Sequence, residues 1–242
     1  MQNFIKLGIS IGDPNGIGPE IILKALSEED SLNDIIPIIY SELEIIKFYL
    51  NHLTIKADLN IIDDPLKAKY GHLNIYQLSN SNFKIDFGKP KKESAQVAFK
   101  SLSKASEHTL KNLIDGIVTA PIDKNTIQGH NFDFSGHTEY FTSIASRSQS
   151  LMLMAHRKLK VGIVTNHLSI DQVSKAITVG AILNKISLMD DSLKRDFKIK
   201  NPKIGLLGLN PHAGDGGLRV QQEVMIIHPA ILQAREKGFN VL

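Results

Sequence analysis

The sequence predicts a mostly parallel α/β/α fold. Two observations lead there. Strand-like and helix-like segments alternate along the 242 residues, the pattern of parallel strands joined by helices. Short apolar runs that read as strands buried on both faces end repeatedly in polar turns. The carboxyl ends of such strands are where open α/β sheets hold their ligands. Hydrophobic residues make up 42% of the chain and charged residues 22%, so a real core can form.

Taken in order, Phe4–Ile11 reads as a buried strand. It runs into the turn Gly12-Asp13-Pro14-Asn15-Gly16-Ile17-Gly18. Pro19 suits the first position of a helix and Glu20 its positive end, and Ile21, Ile22, Ala25 and Leu26 follow at helical spacing. The turn is neither G-x-G-x-x-G nor a P-loop, although amides ahead of a helix suit an anion. Ile35–Tyr40 is a second strand. Ser41 and Glu44 have capping-box spacing and open a helix to about Leu50. Within 51–92 only short strand-like pieces stand out, at 60–62 and 73–78. Residues 93–113 form an amphipathic helix with Ala95, Ala98, Phe99, Leu102 and Ala105 on one face.

Gly116–Ala120 is again a buried strand and ends in Pro121-Ile122-Asp123-Lys124. Ser135-Gly136-His137-Thr138-Glu139 leads into a helix at 140–146. Strands follow at 151–155 and 160–164, the second ending in Thr165-Asn166-His167. Ser169 caps a helix over 170–177, and another helix covers 181–197. Ile204–Leu209 reads as a strand buried on both faces, broken by Asn210-Pro211 and followed by His212-Ala213-Gly214-Asp215-Gly216-Gly217. A helix over 222–237 precedes a last strand beginning at Phe239.

Composition narrows the chemistry. The chain has no cysteine, which excludes disulfides and thiolate metal sites and suits a cytoplasmic protein. No secretory h-region opens the sequence, and no apolar run reaches the ~20 residues of a membrane span. The net charge of +3 is spread along the chain. The basic cluster Lys89–Lys92 lacks aromatic interleaving and reads as a solvated loop, so neither nucleic acid nor membrane is expected as a partner.

Three histidines lie beside turns at element boundaries: His137, His167 and His212. The last two directly follow predicted buried strands. Imidazole is both a metal ligand and an acid/base group near neutral pH. Three such groups converging from separate loops would make a divalent site with open positions. Asp13, Asp123, Lys124, Glu139 and Asp215 occupy the same turns. Asp13 is equally suited to shaping its turn, and Lys124 is placed either to meet an anion or to face solvent. The other six histidines read as surface or core residues.

Five segments, GDPNGIGPE (12–20), TAPIDK (119–124), SGHTEY (135–140), VTNHLSI (164–170) and LNPHAGDGG (209–217), occur in an order and spacing that closely resemble the PdxA family, the 4-hydroxythreonine-4-phosphate dehydrogenases of vitamin B6 synthesis. The match runs from about residue 4 to about 217. The resemblance implies a two-lobed isocitrate/isopropylmalate-dehydrogenase-like fold, with residues 1–134 in the first lobe and 135–242 in the second, and a homodimer with shared active sites. It implies NAD, with NADP as the alternative, and a divalent metal (zinc, magnesium or cobalt). It implies oxidation of the C3 hydroxyl of 4-phosphooxy-L-threonine followed by loss of CO2, giving 3-amino-2-oxopropyl phosphate. By matching motif, His137 and Thr138 are expected to contact substrate and His167 and His212 to ligate metal. No further catalytic residue and no nicotinamide contact is assigned. A dehydrogenase of threonate or erythronate 4-phosphate fits the same motifs, and so does a non-catalytic remnant. Two departures stand out. The stretch Leu218–Glu223 differs from the family's usual continuation. The family's last quarter, which carries a third metal histidine and later Lys, Asn and Arg substrate contacts, has no counterpart. These 242 residues alone are therefore expected to be inactive.

Overall fold

The computed structural model describes residues 4–28, 32–79, 83–128, 132–146, 149–213 and 222–242. The expected glycine-rich turn, Gly214 to Gly217 with Asp215, lies outside the described residues. The chain divides into two compact units, 1–146 and 147–242. This boundary falls later than the lobe boundary expected at 134/135.

The first unit is built on a five-stranded sheet in the order β3-β4-β2-β1-β5: β1 (Ile5–Ser10), β2 (Ile35–Ser41), β3 (Leu59–Ile62), β4 (Leu73–Gln77) and β5 (Gly116–Thr119). All its pairings are parallel, as the alternating pattern predicts. Pro37 lies within β2 yet costs no bond on the β4 side, because that ladder starts one residue later at Ile38↔Asn74. The helices are α1 (Gly18–Leu26), α2 (Leu43–His52), α3 (Lys92–Leu110), α4 (Lys124–Ile127) and α5 (His137–Ile144). Ile9, Ile39 and Ile75 from the sheet pack with Ile22, Leu23, Ile46 and Tyr49 of α1 and α2 in one cluster. Ala95, Ala98 and Leu102 of α3 pack with Ile127, Phe132 and Tyr140 in another. That contact places α5, with its SGHTEY segment, in the first unit.

The capping box expected at Ser41 and Glu44 does not form. Ser41 remains in β2, paired opposite Gln77, and the helix starts after Glu42. The Leu43 amide instead donates to Gln77 Oε1 at 3.0 Å, so the neighbouring strand satisfies one of the helix's free donors.

In the second unit, β6 (Leu153–His156) and β7 (Leu159–Gly162) form an antiparallel hairpin. It is followed by α6 (Ile170–Ala176) and α7 (Val179–Arg195). A short π-turn at Glu223–Ile227 leads into α8 (His228–Glu236). Ile182, Ile186 and Leu193 of α7 pack against Ile227, Ala230, Ala234 and Val241. Thr178 caps α7, its side chain accepting from the Ala181 amide at 3.1 Å. Ser169 precedes α6 but makes no side-chain cap, contrary to expectation.

The larger correction concerns Ile204–Leu209. It is not a strand buried on both faces. Ile204 makes a single parallel bridge to Val241, and Leu206 donates to the Leu242 carbonyl at 3.0 Å. Leu207 is 87% exposed. The run, Leu207 included, borders an apolar cleft of about 610 Å³ that 158–162, Val164, Thr165 and α7 also line. An apolar run becomes a doubly buried strand only when packed elements cover both of its faces. Among the described residues this run has a neighbour on one side only.

Candidate functional site

In the first unit the chain passes from β1 to β2, then β3 and β4, on one side of β1, and returns to place β5 on the other. The order therefore reverses between β1 and β5, and the crevice beyond their carboxyl ends is where such sheets take ligands. Both turns that leave these strands carry singled-out residues, and they are tied together. The Asp13 amide donates to the Pro121 carbonyl at 2.9 Å. Gly12 makes this approach with φ +68°, and a Cβ there would sit 2.1 Å from the Pro121 oxygen. At Gly18 a Cβ would lie 2.3 Å from the Ile11 carbonyl. Both positions require glycine. From behind, Ser101 of α3 accepts from the Ile11 amide at 3.0 Å and donates to the Tyr40 carbonyl at 2.6 Å, fixing the ends of β1 and β2.

The polar groups of the first turn are engaged in structure. Asp13 accepts from the Asn15 amide at 2.9 Å. Asn15 spans to the segment before α3, donating to the Lys89 carbonyl at 2.8 Å and accepting from the Asp86 amide at 2.9 Å. Tyr49 donates to the carbonyls of Pro14 and Gly16, and its burial pushes the phenol up to about 12. Asp13 thus shapes its turn. Asp123 does the same after β5. It caps α4 by accepting from the amide and hydroxyl of Thr126 at 2.7 and 2.6 Å, bonds that hold its carboxyl below the usual range.

His137 and Thr138 open α5, which has Gly136 at its N-cap and no side-chain cap. The His137 ring lies over Phe141, centroids 6.3 Å apart. Its Nε2 is buried without a hydrogen-bond partner, as is Glu139 Oε2. Burial lowers the imidazole's pKa, and the Lys124 ammonium lowers it further, so His137 is neutral at pH 7. A Cβ added at Gly136 would stand 3.4 Å from Glu139 Oε2 and 3.8 Å from Lys124 Nζ. The absent side chain leaves a cradle bordered by an ammonium and a carboxylate. Thr138 is half-buried, and its carbonyl accepts from the Thr142 hydroxyl at 2.7 Å.

His167 and His212 lie in the second unit and are exposed. Both adopt left-handed backbone, φ 53° and 54°, as does Ala213 at 49°. This is uncommon for residues with a side chain and concentrates at functional sites. Thr165 and Leu209, which lead into the two histidine turns, line the same cleft. The Asn166 side-chain oxygen is buried without a partner. No group of three His, Asp, Glu or Cys able to hold a metal forms among the described residues. The donor chemistry of the two imidazoles fits a divalent ion, and the count falls short of a complete set.

Sequence reasoning missed Glu223. Its carboxylate accepts from the Asn210 amide at 2.7 Å and from the Asn210 side chain at 3.1 and 3.2 Å, bonds that hold its pKa down. It thereby anchors the turn that presents His212. Nothing in the spacing from 210 to 223 signals the pairing.

The first unit's parallel sheet, with its switch point between β1 and β5, defines an α/β protein of the kind that takes ligands at strand ends. The chain belongs to the PdxA family, since the model for "Pyridoxal phosphate biosynthetic protein PdxA" matches residues 33–242. It is 38% identical over 238 residues to the 4-hydroxythreonine-4-phosphate dehydrogenase of Bacteroides thetaiotaomicron, covering 98% of this chain and 65% of that one. It is 35% identical to the enzyme of the same name from Sulfurihydrogenibium sp., covering 98% and 73%. A Clostridium botulinum relative, provisionally named a D-threonate 4-phosphate dehydrogenase, is 29% identical, with coverage of 97% and 71%. The crystal structure of 4-hydroxythreonine-4-phosphate dehydrogenase from Klebsiella pneumoniae superposes with a TM-score of 0.88 at 29% identity, covering all of this chain and 73% of that one. The chain thus spans about two thirds to three quarters of the length of these relatives, and the shared fold is the expected α/β class.

Proposed function

We propose that this chain carries substrate- and metal-binding parts of a dehydrogenase that oxidises 4-phosphooxy-L-threonine at C3, with hydride passing to NAD. The resulting β-keto acid then loses CO2 to give 3-amino-2-oxopropyl phosphate. The observation that carries this reading is the 38% identity, over nearly the whole chain, to a relative named for that activity. When bound, a nicotinamide supplies the hydride acceptor and a divalent cation the Lewis acidity. On this reading the neutral imidazole of His137 and the half-buried Thr138 orient the substrate. His137 Nε2, buried without a partner, forms a hydrogen bond to it. His167 and His212 hold part of the cation's coordination shell, and the remaining ligands come from beyond these residues. The family resemblance further supports a homodimer. Loss of one ligand loosens the geometry, and a misplacement of about 1 Å costs on the order of 100-fold in rate. The 242-residue chain is therefore expected to be inactive alone.

The test is NADH formation with divalent metal, NAD and 4-phosphooxy-L-threonine. The chain alone should give no repeated turnover, and a version extended to the length of its relatives should give it. D-Threonate 4-phosphate, suggested by the Clostridium relative, is the competing substrate. A clear preference for it in the extended version would refute the threonine reading.

A further inference from the structure

The turn after β5 ends in Lys124, whose part in binding is not covered by the reading above. Three observations bear on it. Asp123, the nearest carboxylate in sequence, is occupied by Thr126 at the start of α4 and is not turned to its neighbour. Glu139 shares the cradle at Gly136 with Lys124, yet no ion pair joins Lys124 to a carboxylate among the described residues. The two groups therefore border a space rather than close it. Finally, His137 Nε2 and Glu139 Oε2 are both buried and unpartnered. Buried polar atoms find partners in nearly all native structures, and an orphan calls for a missing one. An unpaired ammonium and an orphaned carboxylate oxygen thus border the space at Gly136, and the orphaned His137 Nε2 belongs to the next residue, whose ring lies within reach of the Lys124 charge.

We infer that Lys124 is a further substrate-binding residue, pairing with an anionic oxygen, carboxylate or phosphate, of the ligand that hydrogen-bonds His137. The inference rests on the proposed function for the identity of the ligand, and on this geometry alone for the role of Lys124. Gly136 leaves the opening through which the anion reaches the ammonium. Glu139 Oε2 accepts a hydrogen bond from a donor on the same ligand. The ligand class is therefore a small polar molecule carrying an anion and an N–H or O–H donor a few bonds apart. Lys124 is exposed, so substituting it leaves the core of the first unit intact.

The experiment uses the 242-residue chain and reads binding rather than turnover. The ring resonances of His137 are followed by NMR, in the unaltered chain and in Lys124→Gln and Lys124→Arg, while 4-phosphooxy-L-threonine or 4-hydroxy-L-threonine is added. Without ligand, Lys124→Gln should raise the pH at which His137 titrates, because a neighbouring positive charge is lost. A single charge-assisted contact corresponds to about tenfold in affinity. Lys124→Gln should weaken 4-phosphooxy-L-threonine by that factor, and Lys124→Arg should restore most of it. If 4-hydroxy-L-threonine shows the same loss, the carboxylate is the partner of Lys124; if its binding is insensitive to position 124, the phosphate is. Binding within twofold of the unaltered chain in Lys124→Gln overturns the inference. So does an unaltered chain whose His137 resonances do not respond to 4-phosphooxy-L-threonine. Ligand binding through Lys124 without NADH formation in the extended protein would leave this inference standing and remove the dehydrogenase reading.

Discussion

Gly12→Ala tests whether the turns leaving β1 and β5 are tied together by a contact that only glycine permits. Two costs are separable. The backbone at Gly12 is left-handed, φ +68°, which costs an L-residue about 1–2 kcal/mol. The new Cβ would also meet the Pro121 oxygen at 2.1 Å. Backbone supplies this clash, so no side chain can swing away, and the strand ends must part. Parting breaks the 2.9 Å bond from the Asp13 amide to that oxygen, about 1 kcal/mol more. The sum is about 2–3 kcal/mol, which lowers Tm by roughly 5–10 °C for a unit of this size. Gly71 is the control. Its φ is +73°, but nothing lies within 4 Å of a Cβ there, so Gly71→Ala incurs the backbone cost alone. Thermal unfolding followed by circular dichroism should rank Gly12→Ala clearly below Gly71→Ala. Equal Tm values for the two variants would refute the steric argument and, with it, the claim that the Asp13–Pro121 contact ties the two turns together.

The left-handed histidines give a second expectation. His167→Gly and His212→Gly relieve strained backbone and should leave Tm unchanged or raised by a few degrees, while each abolishes metal-dependent turnover in a version of family length; a large loss of Tm would show that the side chains serve the fold. A third expectation concerns His108, buried in the first unit with Nδ1 2.8 Å from the Tyr40 hydroxyl. Burial holds its pKa below the usual 6.5, so the unfolded chain takes up a proton that the folded one refuses, and stability falls as pH drops below about 6.5 toward the lowered value. Urea unfolding at pH 7.5 and 5.5 should show this decline, and His108→Phe should flatten it at a cost of about 1–3 kcal/mol for the stranded Tyr40 hydroxyl; an unchanged slope in the variant would assign the decline elsewhere.

What the sequence made legible follows from how local each signal is. β1 and β2 were readable because their apolar runs lie inside the sheet with helices packed on it, so the pattern and the environment agree; β5 was readable as a strand, but it is an edge of the sheet and leaves Val118 exposed, against the buried strand expected. The opening of α1 was readable because Pro19 and Glu20 act within one turn. Ser41 misled because the capping box competes with strand pairing. Its place opposite Gln77 is set by β4, more than thirty positions away, and a local rule cannot weigh such a partner. The same limit explains Glu223, whose bond to Asn210 spans 13 positions. Ile204–Leu209 shows the converse error. Its composition is that of a doubly buried strand, and composition states what a segment needs, not what it has. With a partner on one side only, Leu207 stands 87% exposed beside an apolar cleft, and the run that leads to His212 is held by Val241, Leu242 and Glu223 instead of by a sheet. His137 differs again. The motif located it beside a helix start, but its neutrality arises from burial and from the Lys124 ammonium. Lys124 follows β5 and Gly136 precedes α5, and the two meet because Ile122 and Ile127 pack with Tyr140 and Phe141 in one cluster. The site's chemistry is therefore a property of tertiary packing, and the most informative changes to it are those at Lys124 and Gly136, where the turn after β5 meets the start of α5.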